Sequence, residues 1–538
     1  MMMQRFSYFL LFIMLFTSKI YATDFELALT DLAQAKDRSA LINAIQQLGS
    51  TGDERGIAVL EALENNNLRV TDTQQLVILS EALARFVLTD ETVEISTLTL
   101  RQLPQVNNAV RRALRPAVAK LQLNSPHIHT RLAAAEELRK RPPDGAAELL
   151  NMALAKEENA KVKKLLMLAL AQVELNSGNE TQRLAAIALL GEQGNIDFTV
   201  QLKELLKQND SGDFIESTAV RTAAQKALAQ IEAKEDQIAL FRNLFYGISL
   251  GSILLLAALG LAITFGLMGV INMAHGEMLM LGAYSTYVVQ NIFKDYLPAS
   301  LFDGYLIVAL PVAFIVSASV GILLERTVIR HLYGRPLETL LATWGISLIL
   351  IQTVRVFFGA QNVQVANPSW LSGGWEVASN FVIPYNRIAI ILFVIMVVVM
   401  VWLILQRTVL GLQVRAVTQN RNMAACMGIP TRRVDMWTFG LGSGVAGLGG
   451  VALSQIGNVG PELGQGYIVD SFMVVVLGGV GKIAGTVTGA LGLGVVTKFL
   501  EPEVGAVLAK IMVLILIILF IQKRPQGIFA LKGRFAES

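Results

Sequence analysis

Cysteine is all but missing from this sequence: Cys426 is the single one among 538 residues. An intrachain disulfide framework and a zinc site of the Cys-x-x-Cys type are thereby excluded, and no redox, metal or structural-metal role is expected. A phosphate-binding loop is missing too. Gly481-Lys482 is followed by Ile483 where Ser or Thr is required, and no glycine precedes it at the right distance. No nucleotide site, no cofactor and no catalytic residues are therefore expected. Charge is sparse, at 16% of residues against 53% hydrophobic, and this balance points to a chain partly embedded in lipid.

What charge there is falls unevenly. Residues 23–240 hold 24 Lys and Arg against 30 Asp and Glu, whereas residues 241–538 hold 19 against 12. The first part reads as a mildly acidic soluble domain. The second is apolar and basic, with its positive charges in a few short loops rather than on a nucleic-acid-binding face.

The N-terminus carries Arg5, an apolar core over residues 6–16, and Ile20-Tyr21-Ala22 before Thr23. This is the pattern of a secretory signal peptide over residues 1–22, with an uncleaved signal anchor as the alternative. The apolar run is too short for a bilayer of about 30 Å, which takes about 20 helical residues. From about 24 to 236, apolar residues recur every three or four positions among many Ala, Leu, Gln and Glu, which predicts helices. Arg131-Leu132-Ala133-Ala134 returns as Arg183-Leu184-Ala185-Ala186. Further amphipathic helices are expected at 161–175 and 219–231, with turns at Pro142-Pro143 and Ser177-Gly178-Asn179. This organisation is similar to a HEAT-like stack, in which each helix pair buries its apolar stripe against its neighbours. An irregular helical bundle is the alternative.

Beyond Arg242 come long apolar segments, near 244–265, 277–293, 304–324, 338–358, 388–406, 435–456, 468–480, 484–500 and 506–522. The stretch 468–500 also reads as one span with a re-entrant piece. Arg326, Arg330 and Arg335 follow the third segment; Arg407, Arg415, Arg421, Arg432 and Arg433 follow the fifth; Lys523, Arg524, Lys532 and Arg534 follow the last. Short loops rich in Lys and Arg stay in the cytoplasm, so segments three, five and nine end inside. That parity requires the preceding domain to be outside, as the signal peptide predicts from unrelated residues.

Residues 266–284, GLMGVINMAHGEMLMLGAY, resemble the Asn-x-Ala-His-Gly-Glu signature of permeases in branched-chain amino-acid type ABC importers. GLQVRAVTQNRNMAACMGI at 411–429, VLGGVGKIAGTVTGALGLG at 476–494 and RPQGIFA at 524–530 resemble the same family, in the expected order. Within it, LLATWGISLILIQ at 340–352, PSWLSGGW at 368–375, and Asp470 with Ser471 look more like the urea-type permease subunit, which also tends to carry a long exported N-terminal extension. The resemblance implies an inner-membrane transport subunit for urea. It also implies a second permease subunit, two ATP-binding subunits and a periplasmic solute-binding protein as partners, with membrane lipid around the spans and no nucleic acid.

Several polar residues stand inside the apolar segments. Asn272, His275 and Glu277 open the second; buried groups of this kind either line a solute route or bond to one another and to free helix-end backbone, holding a bend at Gly276. Thr343, Trp344, Ser347 and Gln352 lie in the fourth, where Thr343 and Ser347 share a face; a neutral hydrogen-bonding solute suits such a wall, and helix-helix bonding is the alternative. Asp470 completes the candidate pathway. The glycine runs around 440–450 and 478–494, including Gly478, Gly479, Gly481 and Gly485, read as close packing, with hinge motion in addition.

The loop 407–433 has five arginines and no acidic residue. By its match to the family it is the coupling helix that docks into an ATPase subunit, with Gly411, Arg415, Asn420, Arg421, Ala424, Ala425 and Gly428 as contact candidates. It lacks the Glu that opens the usual coupling loop of other ABC permeases, which leaves the contact residues open. The expectation is thus an all-α polytopic membrane protein comprising a signal peptide (1–22), a periplasmic HEAT-like domain (23–240) and a transmembrane permease domain of eight or nine helices (241–538). The alternatives are a branched-chain amino-acid or short-amide permease and, in another class, a membrane-anchored sensor or scaffold.

Overall fold

A computed structural model describes residues 24–529, apart from 81–82, 141, 143–145, 177–178, 210–211 and 379–380. The expected signal peptide, residues 1–22, lies outside the described residues, as do Lys532 and Arg534. The chain divides into two compact units, one ending at Glu235 and one starting at Asp236.

In the first unit, α1 (Asp24–Gln34), α2 (Arg38–Ser50) and α3 (Arg55–Glu64) lead into five strands. These are β1 (Leu68–Thr71), β2 (Leu76–Ser80), β3 (Leu83–Phe86), β4 (Thr92–Glu94) and β5 (Leu100–Gln102), in the antiparallel order β4-β3-β2-β1-β5. Val70 stands opposite Leu76 on one side and Arg101 on the other. This sheet corrects the expectation of an all-α fold. Residues 68–102 are rich in Val, Ile and Thr, which fit a pleated, half-buried surface. Gln74 (φ 59°) and Asp90 (φ 60°) take the left-handed conformation in the turns between strands. The helix-forming run SEALAR at 80–85 concealed the pattern, yet Ala84 is fully buried in β3, where pairing to β2 and β4 overrides propensity.

Leu68, Val70 and Leu76 share an apolar core with α1–α3 and α4 (Asn108–Leu123). A second core joins α4, α5 (Ile128–Lys140), α6 (Ala146–Lys156) and α7 (Ala160–Glu174). A third joins α7, α8 (Glu180–Gln193), α9 (Thr199–Glu204) and the start of α10 (Thr218–Met268). Helices α4 and α7 each bury apolar residues in two successive cores. The two Arg-Leu-Ala-Ala segments occupy equivalent places in this series. Arg131, in the first turn of α5, donates to Glu157 at 2.8 and 3.2 Å and to the Ser125 carbonyl at 2.9 Å. Arg183, in the first turn of α8, pairs with Glu216 at 2.6 Å and donates to the Leu175 carbonyl at 3.1 Å. Burial pushes the Glu157 carboxyl up, but Arg131 and the Asn159 backbone N–H outweigh that and hold it below its ordinary value.

The second unit continues α10 and adds α11 (His275–Tyr296), α12 (Tyr305–Thr327), α13 (Pro336–Phe358) and a hairpin of β6 (Gly374–Ala378) and β7 (Phe381–Pro384). It goes on through α14 (Tyr385–Arg407), α15 (Val409–Gln419), α16 (Arg421–Cys426), α17 (Thr431–Ser454), α18 (Leu463–Gly478), α19 (Ile483–Val504) and α20 (Ala506–Lys523). Each of the nine expected apolar segments falls on one helix, α10–α14 and α17–α20, and none overruns its helix by more than two residues. Among the described residues, seven helices are long and apolar enough to cross a membrane; α11, of 22 residues, and α18, of 16, are not among the seven. The stretch 468–500 is two helices, α18 and α19, joined by a turn in which Gly479 (φ 97°) and Gly481 (φ 83°) adopt a conformation that excludes most side chains. The most apolar windows of α10 and α17 are 83% buried, against 17–33% in the other five, so these two form the centre.

Contacts between loops sort the helix ends onto two faces. On one, Thr418 Oγ1 donates to the Leu267 carbonyl at 2.9 Å, and the Arg421 guanidinium lies 4.4 Å from the Tyr333 ring centre. These join the end of α10, the α12–α13 connection and the loop 407–433. Gly481 lies against Gly266, and the Ile528 N–H donates to the Leu477 carbonyl at 2.9 Å, adding the end of α18 and the segment after α20. On the opposite face, Val363 and Val459 exchange backbone hydrogen bonds at 2.8 and 2.9 Å, joining the loops after α13 and α17. Asp470, midway along α18, accepts from Lys510, one turn into α20, at 3.0 Å, and both helices end on the first face. Both helices therefore run from the second face to the first, although α18 is only about 24 Å long at 1.5 Å per residue.

Candidate functional site

α10 ends at Met268, and Gly269 (φ 69°) turns the chain before α11 begins. In that break Asn272 Oδ1 accepts from the Ala274 N–H at 3.0 Å, satisfying one of the free donors at the start of a helix. The Met273 N–H donates to Thr343 Oγ1 of α13 at 3.0 Å. Thr343 in turn donates to the Thr339 and Leu340 carbonyls at 2.8 and 3.1 Å. One turn further along α13, Ser347 Oγ donates to Glu277 Oε1 at 2.8 Å. Asn272, Glu277, Thr343 and Ser347 are all buried, and together they make a polar seam between α11 and α13. Thr343 and Ser347 lie about 10–16 Å from the start of α13 at 1.5 Å per residue, well inside a bilayer core of about 30 Å. Three side-chain atoms around this break are buried and have no hydrogen-bond partner: Asn272 Nδ2, His275 Nδ1 and Glu277 Oε2.

The structure divides the sequence candidates. His275 is fully buried, and its Nε2 lies 2.9 Å from the Ala257 carbonyl of α10; a carbonyl only accepts, so Nε2 carries the proton. His275 thus braces α11 against α10, whereas Glu277 bonds to α13. Gly276 faces Gly464 of α18, where a Cβ would come within 2.5 Å of the Gly464 carbonyl oxygen. Gly478 and Gly485 make a second pair of this kind between α18 and α19. Thr343 and Ser347 fall on the buried stripe of α13 with Thr339, one turn earlier, which the i, i+4 pattern extends to and the sequence reading omitted. Trp344 and Gln352 do not join them: Trp344 is 53% exposed, and the exposed Gln352 lines an open groove with Leu348, Thr353, Val356 and Phe357. Asp470 is on α18 and paired to Lys510.

Loop 407–433 folds into α15 and α16. Gly411 is buried at the α14–α15 corner, where a Cβ would strike the Leu405 carbonyl, and Ala424 is also buried, so neither presents a surface. Arg415 donates to the Leu405 carbonyl, and Asn420 Oδ1 caps α16 by accepting from the Met423 N–H at 2.9 Å. Ala425 and Gly428 are exposed. So are Val409, Leu412, Met423 and Met427, the last 77% exposed, and these apolar side chains among arginines were missed by a reading that looked for small residues. Arg421 reaches Asp435 at the start of α17, and Nη1 donates to Oδ1 at 3.2 Å. Burial first, then the carboxylates of Asp435 and Glu325, hold the nearby Tyr333 phenol above its ordinary range.

The family model described as branched-chain amino acid transport system permease component matches residues 243–521. The chain belongs to this family. Permease protein LivH of the high-affinity branched-chain amino acid transport system of Escherichia coli (strain K12) is 29% identical over 295 residues, which are 53% of this chain and 94% of that protein. LivH of Salmonella typhimurium is 30% identical over 295 residues, with the same shares. Permease protein LivM of the same Escherichia coli system is 26% identical over 303 residues, 52% of this chain and 67% of that protein. No solved structure matches. As an ABC transporter permease of this family, the chain is a multi-pass membrane protein and not itself an enzyme. The polar seam, the glycine contacts and loop 407–433 all lie inside the matched segment, and residues 24–242 lie before it.

Proposed function

We propose that this permease conducts urea through the inner membrane as one of two permease chains of an ABC importer. The observation that carries the reading is the Glu277–Ser347 pair with its free carboxylate oxygen, beside the unpartnered amide nitrogen of Asn272. A buried site built to hydrogen-bond a solute discriminates strongly against one lacking the matching groups. Urea offers a carbonyl to Asn272 Nδ2 and N–H donors to Glu277 Oε2. An amino acid brings a carboxylate as well, and no Lys or Arg is among the buried residues described. The stretches 340–352 and 368–375, similar to urea-type permeases, add to this. The names of the relatives favour a second reading, a branched-chain amino acid as the solute. Membership of a permease family favours transport over a sensor or scaffold role.

The face bearing Arg326, Arg330, Arg335 and the arginines of loop 407–433 is taken as cytoplasmic. The exposed apolar side chains of α15 and α16 on that face are the proposed dock for an ATPase subunit. The chain enters the apolar half of α10 from the other side, so the first unit is assigned to the periplasm, as a HEAT-like stack carrying a small sheet. A solute-binding protein delivers from there. LivH and LivM are two permeases of one system in one organism, which supports a second permease chain here.

Uptake of labelled urea and of labelled leucine in a strain deleted for this chain tests the assignment. Urea uptake is expected to vanish and to return with the chain supplied in trans, with leucine uptake unaltered. Unaltered urea uptake with loss of leucine uptake would establish the second reading instead.

A further inference from the structure

α16 is six residues long, and its contact with the bundle is slight. Ala424 is buried, but Met423, Ala425, Cys426 and Met427 are exposed. Packing alone is therefore a weak link between this helix and the spans. The strong link is Arg421. Its guanidinium meets both carboxylate oxygens of Asp435, a bidentate arrangement, while stacking on Tyr333 with 4.4 Å to the ring centre. Asp435 is 1% exposed and belongs to α17, whereas Tyr333 belongs to the connection after α12. Glu325, also 1% exposed, ends α12; it lies 3.7 Å from Arg330 and within the electrostatic reach of Arg421 and Asp435. A single side chain of the arginine loop thus joins the cytoplasmic ends of two spans.

Those two spans lead to the polar seam without slack. A Cβ on Gly440 of α17 would strike Ile322 of α12, and one on Gly447 would strike Ser317 and the Ala313 carbonyl. Ser317 Oγ donates to the Met278 carbonyl of α11 at 3.0 Å, next to Glu277. Close-packed interiors of this kind transmit displacement rather than absorb it. Taking a buried carboxylate away from its cation is costly, so Asp435 has to follow Arg421 or lose its partner.

We propose that Arg421 is the positioning residue that makes α16, α17 and the end of α12 move as one body, carrying motion of the loop to the seam at Glu277. The inference rests on reading loop 407–433 as the ATPase dock. Arg421 and Asp435 act through this pair, and neither touches the solute.

The complete importer in proteoliposomes tests it. The readouts are ATP hydrolysis, uptake of labelled urea (or of leucine, where the unaltered importer carries that instead), and the mobility of a nitroxide on Cys426, the chain's only cysteine, exposed at the end of α16. In Arg421→Lys and Asp435→Asn, solute moved per ATP hydrolysed is expected to fall about tenfold, the size of an ordinary coupling free energy, and the nitroxide to gain mobility. The exchanged pair Arg421→Asp/Asp435→Arg is expected to restore both. Unaltered solute per ATP in the two single variants overturns the proposal. Loss of assembly in both, not regained by the exchanged pair, also overturns it, because the pair would then only hold the fold. An unaltered chain that fails to retain the ATPase subunits removes the dock and the proposal together.

Discussion

Glu277 and His275 stand two positions apart and do different work. Glu277 shares one oxygen with Ser347 and keeps the other free, whereas His275 is anchored to a carbonyl of α10. Glu277→Gln retains an acceptor for Ser347, so the chain is expected to reach its normal level in the membrane. Uptake is expected to fall by about tenfold or more, since hydrogen bonds to charged groups are worth about 1.5–3 kcal/mol. Quantitative blotting beside labelled-solute uptake checks both outcomes, and normal uptake removes Glu277 from the route. Thr343→Val works differently: it strips the Met273 N–H of its acceptor inside the membrane. A loss of about 1–3 kcal/mol is expected from an unpaired buried donor, read as a lowered melting temperature in detergent. At this scale the sequence named the residues, because Asn, His, Glu and Thr in apolar runs are conspicuous. It did not separate the side chain bonded to α10 from the one bonded to α13, because the partner of each comes from another helix.

Among the elements, close helix contacts depend on glycine. Gly276→Ala puts a methyl group 2.5 Å from the Gly464 carbonyl oxygen, so α11 and α18 have to part. Overpacking of this kind costs about 1–3 kcal/mol, and the melting temperature of the purified chain is expected to drop. Gly466→Ala, on the same helix as Gly464 but with nothing within 4 Å, is the control and should melt like the parent. The nine apolar segments were legible because each is long and nearly uniform. The five strands at 68–102 were not, because three- to five-residue strands leave almost no periodicity and SEALAR favours helix. The exposed apolar side chains of α15 and α16 were hidden for a similar reason: the arginines beside them explain themselves as loop charge, and the exposed methionines become visible only when the buried face is known.

For the whole molecule, the sorting of loops onto two faces makes a prediction that needs no substitution. Cys426 lies in the arginine loop, so in intact cells expressing the chain without its ATPase partners a membrane-impermeant maleimide should leave it unlabelled. Permeabilised cells should label it fully. Labelling from outside would reverse the topology and remove the ATPase dock. The sequence by itself determined that this chain enters the membrane, because hydropathy acts locally, residue against lipid or water, whatever the neighbours do, and the arginine positions supply the proposed orientation. It also carried the family, through motifs that are each a continuous stretch of the chain. Only the tertiary structure decided which polar residues form a seam, that Trp344 and Gln352 point away from it, and that Arg421 closes on Asp435. Those facts depend on how helices far apart in sequence are rotated against one another, and a hydrogen bond is lost within an ångström or so of misplacement.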